Sequence, residues 1–230
     1  MKSLLLVLGF TLSLIATNNM PKSYYEITDT KKMKTAFFYH ILSMAKRQNA
    51  FILQDRKFIE KTYSKVSTLS KNSDEYKRFK KIQKRYKLKD DYTLKTYLIK
   101  IDTIPTSLVL AQAAIESGWG KSRFFKKANN IFGQWTWSGI GLTPSSRDAG
   151  KKHKIKIFST LEGSVKGYMI NLNSGWGYKD FRALRANLRA SNNVSGVALT
   201  DTLTNYSQKK EVYNKMVKNL ILSNKLSKFD

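Results

Sequence analysis

The chain has 230 residues and a formal charge of +26, from 42 Lys and Arg against 16 Asp and Glu. Its 41% hydrophobic and 12% aromatic content is enough for a core, which excludes wholesale disorder and bounds the chain at one ordinary domain, or one with a smaller helical extension. There is no cysteine and only two histidines, His40 and His153; disulfides, thiolate sites and a His-rich zinc motif are excluded, and no metal or cofactor is expected.

The positive charge is spread evenly. Residues 1–100 carry 22 basic and 8 acidic side chains, and residues 101–230 carry 20 and 8. A basic surface of this kind is attracted to polyanions in general: nucleic acid, anionic lipid or an acidic envelope polymer. Composition does not choose among them.

Taken in order, the chain opens with Lys2 and a 12-residue apolar run at 4–15, the pattern of a secretory signal over residues 1–19. The run is short for a membrane span, and an uncleaved N-terminal anchor is the alternative. Either way an exported protein of the periplasm or cell envelope is expected. Residues 20–30 look like a polar linker.

Met33, Phe37, Phe38, Ile41, Leu42, Met44, Ala45, Ile52 and Leu53 have helical spacing, so one or two amphipathic helices fill 31–53, continuing through 54–69. A break at 71–74 can cap a helix over 75–87, and a shorter one covers 92–101. Residues 20–100 therefore form an amphipathic helical region packed on the domain at 101–230. Its basic faces are either solvated or a binding surface.

The 104–124 stretch, IPTSLVLAQAAIESGWGKSRF, is the chemically informative one. Pro105 suits a first helical turn, residues 108–115 are apolar almost all round, and such a helix is a central one. Glu116 is the only acid between Thr103 and Arg147. It shares a face with Gln112, four residues earlier, and Gly118 and Gly120 end the helix. Burial and the negative end of the helix dipole both raise its pKa, as a general acid requires. Equally, Glu116 could cap the turn by accepting backbone N–H bonds.

Beyond it, Asn129, Asn130 and Gln134 lie among Phe132, Trp135 and Trp137. Rings beside amides are what a sugar-binding groove uses; the alternative is that the tryptophans are core. Residues 138–158 are read as a loop or small β-hairpin lobe. Helices are expected at 161–173, 181–190, 194–203 and 211–226, with a turn at 173–178 and Leu184 and Leu188 facing inward.

AQAAIESGWGKSRF followed by NNIFGQWTW resembles the Bax-like bacterial proteins of glycoside hydrolase family 73. These are peptidoglycan N-acetylglucosaminidases related to flagellar-rod and autolysin glucosaminidases. The likeness extends to KTAFFYHILSMAKRQNAFILQDR, YLIKIDTIPTSLVLAQAA, FSTLEGSVKGYMINLN and LTNYSQKKEVY. It implies a mainly α, lysozyme-like domain over 101–230 with a small β-lobe at about 138–158, preceded by the N-terminal helical extension.

The resemblance further implies hydrolysis of the β-1,4 bond between N-acetylglucosamine and N-acetylmuramic acid. Glu116 would be the catalytic acid and Tyr206 the tyrosine facing it. Trp119, Phe132, Gly133 and Tyr168 fall on positions that shape the cleft, beside Gln112, Asn130, Gln134 and Trp135 as substrate-binding candidates. Many members carry a second glutamate on the β-lobe, which this chain lacks. Asp148 or the substrate's own N-acetyl group would take that role, while Glu162 reads as a helix N-terminal acid. Peptidoglycan strands are the implied partner and a monomer is expected, with anionic polymers or membrane attracting the basic surface, and no nucleic acid. The competing readings are a lytic transglycosylase on the same scaffold and a non-catalytic glycan-binding envelope protein.

Overall fold

The computed structural model describes residues 19–137, 140–144 and 153–230. Residues 1–18 of the signal expected over 1–19, and Arg147 and Asp148 of the expected lobe, lie outside the described residues. The protein is mainly α-helical with a small three-stranded β lobe and an N-terminal helical extension.

The extension begins with a short helix, α1 (Lys22–Tyr25), followed by one long helix, α2 (Thr30–Thr62). At 33 residues α2 is about 50 Å long, with Asp29 capping its N-terminus by accepting from the Lys32 N–H at 2.6 Å. A 3₁₀ turn, Tyr63–Thr68, ends it. The spacing that suggested one or two helices thus belongs to one. Its buried Met33, Phe37, Ile41, Met44, Ile52 and Ile59 form a continuous stripe.

Helix α3 (Asp74–Tyr86) starts where expected, with Ser73 accepting from the Tyr76 N–H, and α4 (Leu94–Lys100) comes next. The expectation of a linker at 20–30 is corrected. Met20 and Tyr24 are buried, and the Tyr24 hydroxyl donates to the carbonyl of Trp119 at 2.7 Å. Two large side chains gain more from burial than a polar composition count reveals.

Helix α5 (Thr106–Ser117) is the centre. Every residue from Thr106 to Ala114 is buried, because α2, α9 (Gly196–Leu199), α10 (Lys210–Ser223) and a final 3₁₀ turn, Leu226–Phe229, pack around it. Pro105 stands just before the helix rather than in its first turn. The helix N-terminus is capped by Asp230, whose carboxylate accepts from the Ser107 N–H at 2.8 Å, the Ser107 hydroxyl at 2.7 Å and the Gly196 N–H at 2.8 Å. A side chain at Gly196 would meet the Ser107 hydroxyl at 2.1 Å, so glycine is required for this close approach.

Helix α6 (Arg123–Ala128) leads into the lobe of β1 (Trp135–Thr136), β2 (Gly141–Leu142) and β3 (Lys154–Lys156). The strand order is β1-β3-β2, with both pairs antiparallel: Trp135 opposite Ile155 and Gly141 opposite Lys156. The lobe starts at 135, earlier than the expected 138, and is a three-stranded sheet rather than a hairpin. Asn130 draws the two sides together, its Nδ2 donating to the carbonyls of Gln134 and Lys156 at 2.8 Å each. Helix α7 (Leu161–Ser174), a 3₁₀ turn at Trp176–Tyr178 and α8 (Lys179–Ala190) continue the chain. The expected helix over 194–203 is α9 continued by a 3₁₀ turn, Thr200–Thr202. Among the described residues no helix is long and apolar enough to cross a membrane.

The connection from α4 to α5 is secured by arginines of α8. Leu184 and Leu188 pack against the core as expected, yet the fully buried polar residue is Arg185. It donates to the carbonyls of Ile99 (2.9 Å), Asp102 and Thr103 (3.2 Å each) and to Asn173 Oδ1 (2.7 Å). Arg189 pairs with the Asp102 carboxylate at 3.0 Å. Arg185→Leu leaves these buried acceptors without their donor, and is expected to lower unfolding stability by about 3–5 kcal/mol, measured by urea denaturation.

Candidate active site

Glu116 lies in the last turn of α5, at the end of the buried helix and itself partly exposed. The turn after it is left-handed at three successive residues: Gly118 (φ 55°), Trp119 (φ 58°) and Gly120 (φ 71°). The two glycines adopt this freely. Trp119 does so at a cost of about 1–2 kcal/mol and is held there from the extension. Tyr24 binds its carbonyl, Tyr25 donates to the Gly120 carbonyl at 3.1 Å, and the indole packs edge-on against Phe37 and Phe38 with Lys34 over its face.

The helix end is closed by Ser117. Its hydroxyl donates to the Ala113 carbonyl at 2.6 Å and accepts from the Gly120 N–H at 2.8 Å, while the Trp119 N–H reaches the Ala114 carbonyl at 3.0 Å. The capping work that Glu116 might have done belongs to its neighbour. Among the described residues, the hydrogen bond to Glu116 comes from a side chain.

That side chain is Tyr213 of α10, whose hydroxyl donates to Glu116 Oε1 at 2.6 Å. A donor chain runs behind it. Tyr168 donates to Gln112 Oε1 at 2.5 Å, and Gln112 Nε2 donates to the Tyr213 oxygen at 2.9 Å. Gln112 is completely buried; its amide is satisfied at both ends and orients Tyr213 toward the acid. Placing Gln112 four residues before Glu116 puts both on the face that α7 and α10 cover.

Rings close around this chain. Tyr206 stacks on Tyr213 at 5.4 Å and meets Tyr168 edge-on at 6.2 Å; Phe132 stacks on Tyr168 at 3.9 Å; Tyr178 leans on Tyr206 at 6.3 Å. Burial, offset in part by the Tyr213 hydrogen bond, holds the Glu116 carboxyl above the usual carboxylate range. Burial and then the Glu116 charge push the Tyr213 phenol far up, so it remains a donor. Tyr178 is raised to about 12, chiefly by burial and partly by Glu116.

The structure brings Glu116, Gln112, Tyr168, Phe132 and Tyr206 together as one cluster. Tyr206 is one ring removed from the carboxylate, which Tyr213 contacts directly. Gly133, at φ 64°, turns the chain between Phe132 and Gln134. Asn130 is 1% exposed, both of its N–H groups are taken by the chain and its oxygen accepts from the Gln134 N–H. It braces the lobe rather than offering donors to a groove. Gln134 likewise donates to Ser164. Trp135 and Trp137 are 50% and 73% exposed, with Trp135 stacked on His153 at 4.4 Å; neither is core.

Glu162, in the first turn of α7, is bound by Arg47 at 2.8 Å and Gln48 at 2.7 Å. These partners outweigh its burial and hold its carboxyl low, as befits a structural helix-terminal acid. No group of three or more potential metal ligands converges among the described residues.

Tyr213 and Tyr178 are the site residues that sequence reasoning missed. For Tyr213 a signal existed: with Val217 and Ile221 it sits at helical spacing on the buried face of α10, where a hydroxyl needs a polar partner. Tyr178 lay hidden in a segment read only as a turn.

The glucosaminidase family model, described as mannosyl-glycoprotein endo-beta-N-acetylglucosaminidase, matches residues 76–226. Protein bax of Escherichia coli (strain K12) is 36% identical over 187 residues, 79% of this chain. The match spans 66% of that protein's length, just under two thirds. The crystal structure of the catalytic domain of the autolysin Auto from Listeria monocytogenes aligns with a TM-score of 0.45 at 16% identity, covering 90% of this chain and 93% of that one.

The electrostatics lead to two expected outcomes. Folding raises the Glu116 pKa above its ordinary 4.5, so between those two values the folded state binds the extra proton and stability falls as pH rises. Glu116→Gln, which lacks that charge, is expected to be more stable than the wild type near neutral pH, with the two converging below pH 4.5; urea unfolding across pH reads this. Tyr213→Phe removes the donor that favours the ionised carboxylate, so the Glu116 pKa rises further, seen by carbon NMR titration of the side-chain carboxyl.

Proposed function

The chain belongs to the glucosaminidase family, and on that premise we propose that it is a peptidoglycan hydrolase cleaving the β-1,4 bond between N-acetylglucosamine and N-acetylmuramic acid. The observation that carries this is Glu116: a lone carboxylate of raised pKa, partly exposed, backed by a hydrogen-bonded donor chain. It serves as the general acid. With Oε1 taken by the Tyr213 hydroxyl, Oε2 is the oxygen left to carry the proton to the leaving glycosidic oxygen. Once the proton is given up, the same hydroxyl stabilises the carboxylate that remains.

The second group is either Asp148 of the lobe or the N-acetyl oxygen of the substrate. Glu162 is set aside because its carboxylate is committed to Arg47 and Gln48. Phe132 and Tyr168 are buried and back the cleft from within the core, Trp119 and Tyr206 are partly exposed, and the exposed indoles of Trp135 and Trp137 offer faces to pyranose rings. Such stacking suits a long, hydroxyl-rich polymer whose sugar faces are apolar.

Peptidoglycan also accounts for the charge. Its stem peptides carry carboxylates, and a body of charge +26 is held near them by long-range attraction that salt weakens. The protein would act in the periplasm or cell envelope.

The decisive experiment is mass spectrometry of muropeptides released from purified sacculi. The wild type is expected to produce free reducing N-acetylglucosamine ends, and Glu116→Gln to lower the release rate by about 10²–10⁴-fold. Anhydro-muramic ends would assign a lytic transglycosylase instead, and undiminished lysis by Glu116→Gln would remove the acid from the mechanism.

A further inference from the structure

Trp176 lies in the turn between α7 and α8 and is 86% exposed. The backbone beneath it is well tied. Arg182 Nη1 donates to the carbonyls of Gly175 (2.7 Å) and Leu172 (3.0 Å), and the Gly175 N–H reaches the Asn171 carbonyl at 2.7 Å. From the other side Asn205 Nδ2 donates to the Gly177 carbonyl at 3.0 Å. A side chain at Gly175 would meet that Asn171 oxygen at 2.7 Å, so the segment is packed closely beneath the indole.

A fixed backbone that holds a large apolar ring out in water gives the fold nothing from that ring, since the indole's hydrophobic stabilisation goes unrealised. The position of the turn supplies a purpose. Two residues on, Tyr178 leans on Tyr206 and is electrostatically coupled to Glu116. Asn205, which ties the turn down, directly precedes Tyr206. Trp176 therefore stands on the outer edge of the tyrosine wall that surrounds the acid, on an element separate from Trp135 of β1 and from Trp137.

We propose that Trp176 is a glycan-binding residue, a stacking platform for a pyranose ring of the polysaccharide strand outside the ring pair being cleaved. The C–H face of a β-1,4-linked amino sugar is apolar and slightly positive, which suits the electron-rich face of an indole. This rests on the glycan reading of the Glu116 site. Because the platform touches a ring remote from the reacting bond, its contribution is to binding: it lowers KM for long strands and leaves the chemical step alone.

The test uses Trp176→Ala and Trp176→Phe in the full chain. On sacculi, Trp176→Ala is expected to raise the apparent KM about ten-fold with little change in kcat. Trp176→Phe, which keeps a ring, should recover part of the loss. In the Glu116→Gln background, N-acetylglucosamine oligosaccharides titrated by calorimetry should bind about ten-fold more weakly when Trp176 is alanine. An unchanged urea midpoint would show that the fold is intact. Unchanged KM and unchanged oligosaccharide affinity in Trp176→Ala would overturn the proposal, as would a fall in kcat alone. The binding arm stands apart from catalysis: if Glu116→Gln lysed sacculi at the wild-type rate the reading of the acid would fail, and the oligosaccharide titration would still decide the role of Trp176.

Discussion

A carboxylate at the end of a helix buried on all sides is the constraint on which the rest of this structure depends. Helix α5 has no solvent face along Thr106–Ala114, so α2, α9 and α10 must wrap it completely. Only its C-terminal end reaches water, and Glu116 sits there. The same wrapping that stabilises the core strips solvent from the carboxyl and raises its pKa. Core formation and the raised pKa are in this sense one event.

The protein limits the cost without abolishing it. A charged partner such as Arg would return Glu116 to an ordinary acid, as Arg47 does for Glu162. Glu116 instead receives one neutral hydroxyl from Tyr213, oriented by Gln112 and Tyr168. A neutral donor favours the anion by less than burial disfavours it, so the carboxyl stays above the ordinary carboxylate range. The contrast between the two glutamates shows how identical side chains are given different ionisation by their partners.

The extension takes part in the site rather than merely preceding it. Its first described residues reach the left-handed turn behind Glu116 through the hydroxyls of Tyr24 and Tyr25, and α2 contributes Phe37 and Phe38 to hold Trp119. A tryptophan at φ 58° persists only where its surroundings over-determine it, and those surroundings come from a segment about 80–95 residues earlier in the chain.

Local pattern sufficed for the helical class, the buried central helix, a helix cap within 71–74 and the position of Glu116 at the helix end, because periodicity and the isolation of one acid in an apolar run are properties of neighbours in sequence. The burial of Met20 and Tyr24 where a linker was expected, the bracing of the lobe by Asn130 and the contact of Tyr213 with Glu116 were not legible, for a shared reason. Each depends on which distant group a side chain meets: Trp119 for Tyr24, the β3 carbonyl for Asn130, Glu116 for Tyr213. The sequence by itself determined that a carboxylate would be carried to the end of a buried helix. Only the tertiary structure decided that a tyrosine 97 residues away would hold the acid, since hydrogen bonds between elements form only after those elements have packed.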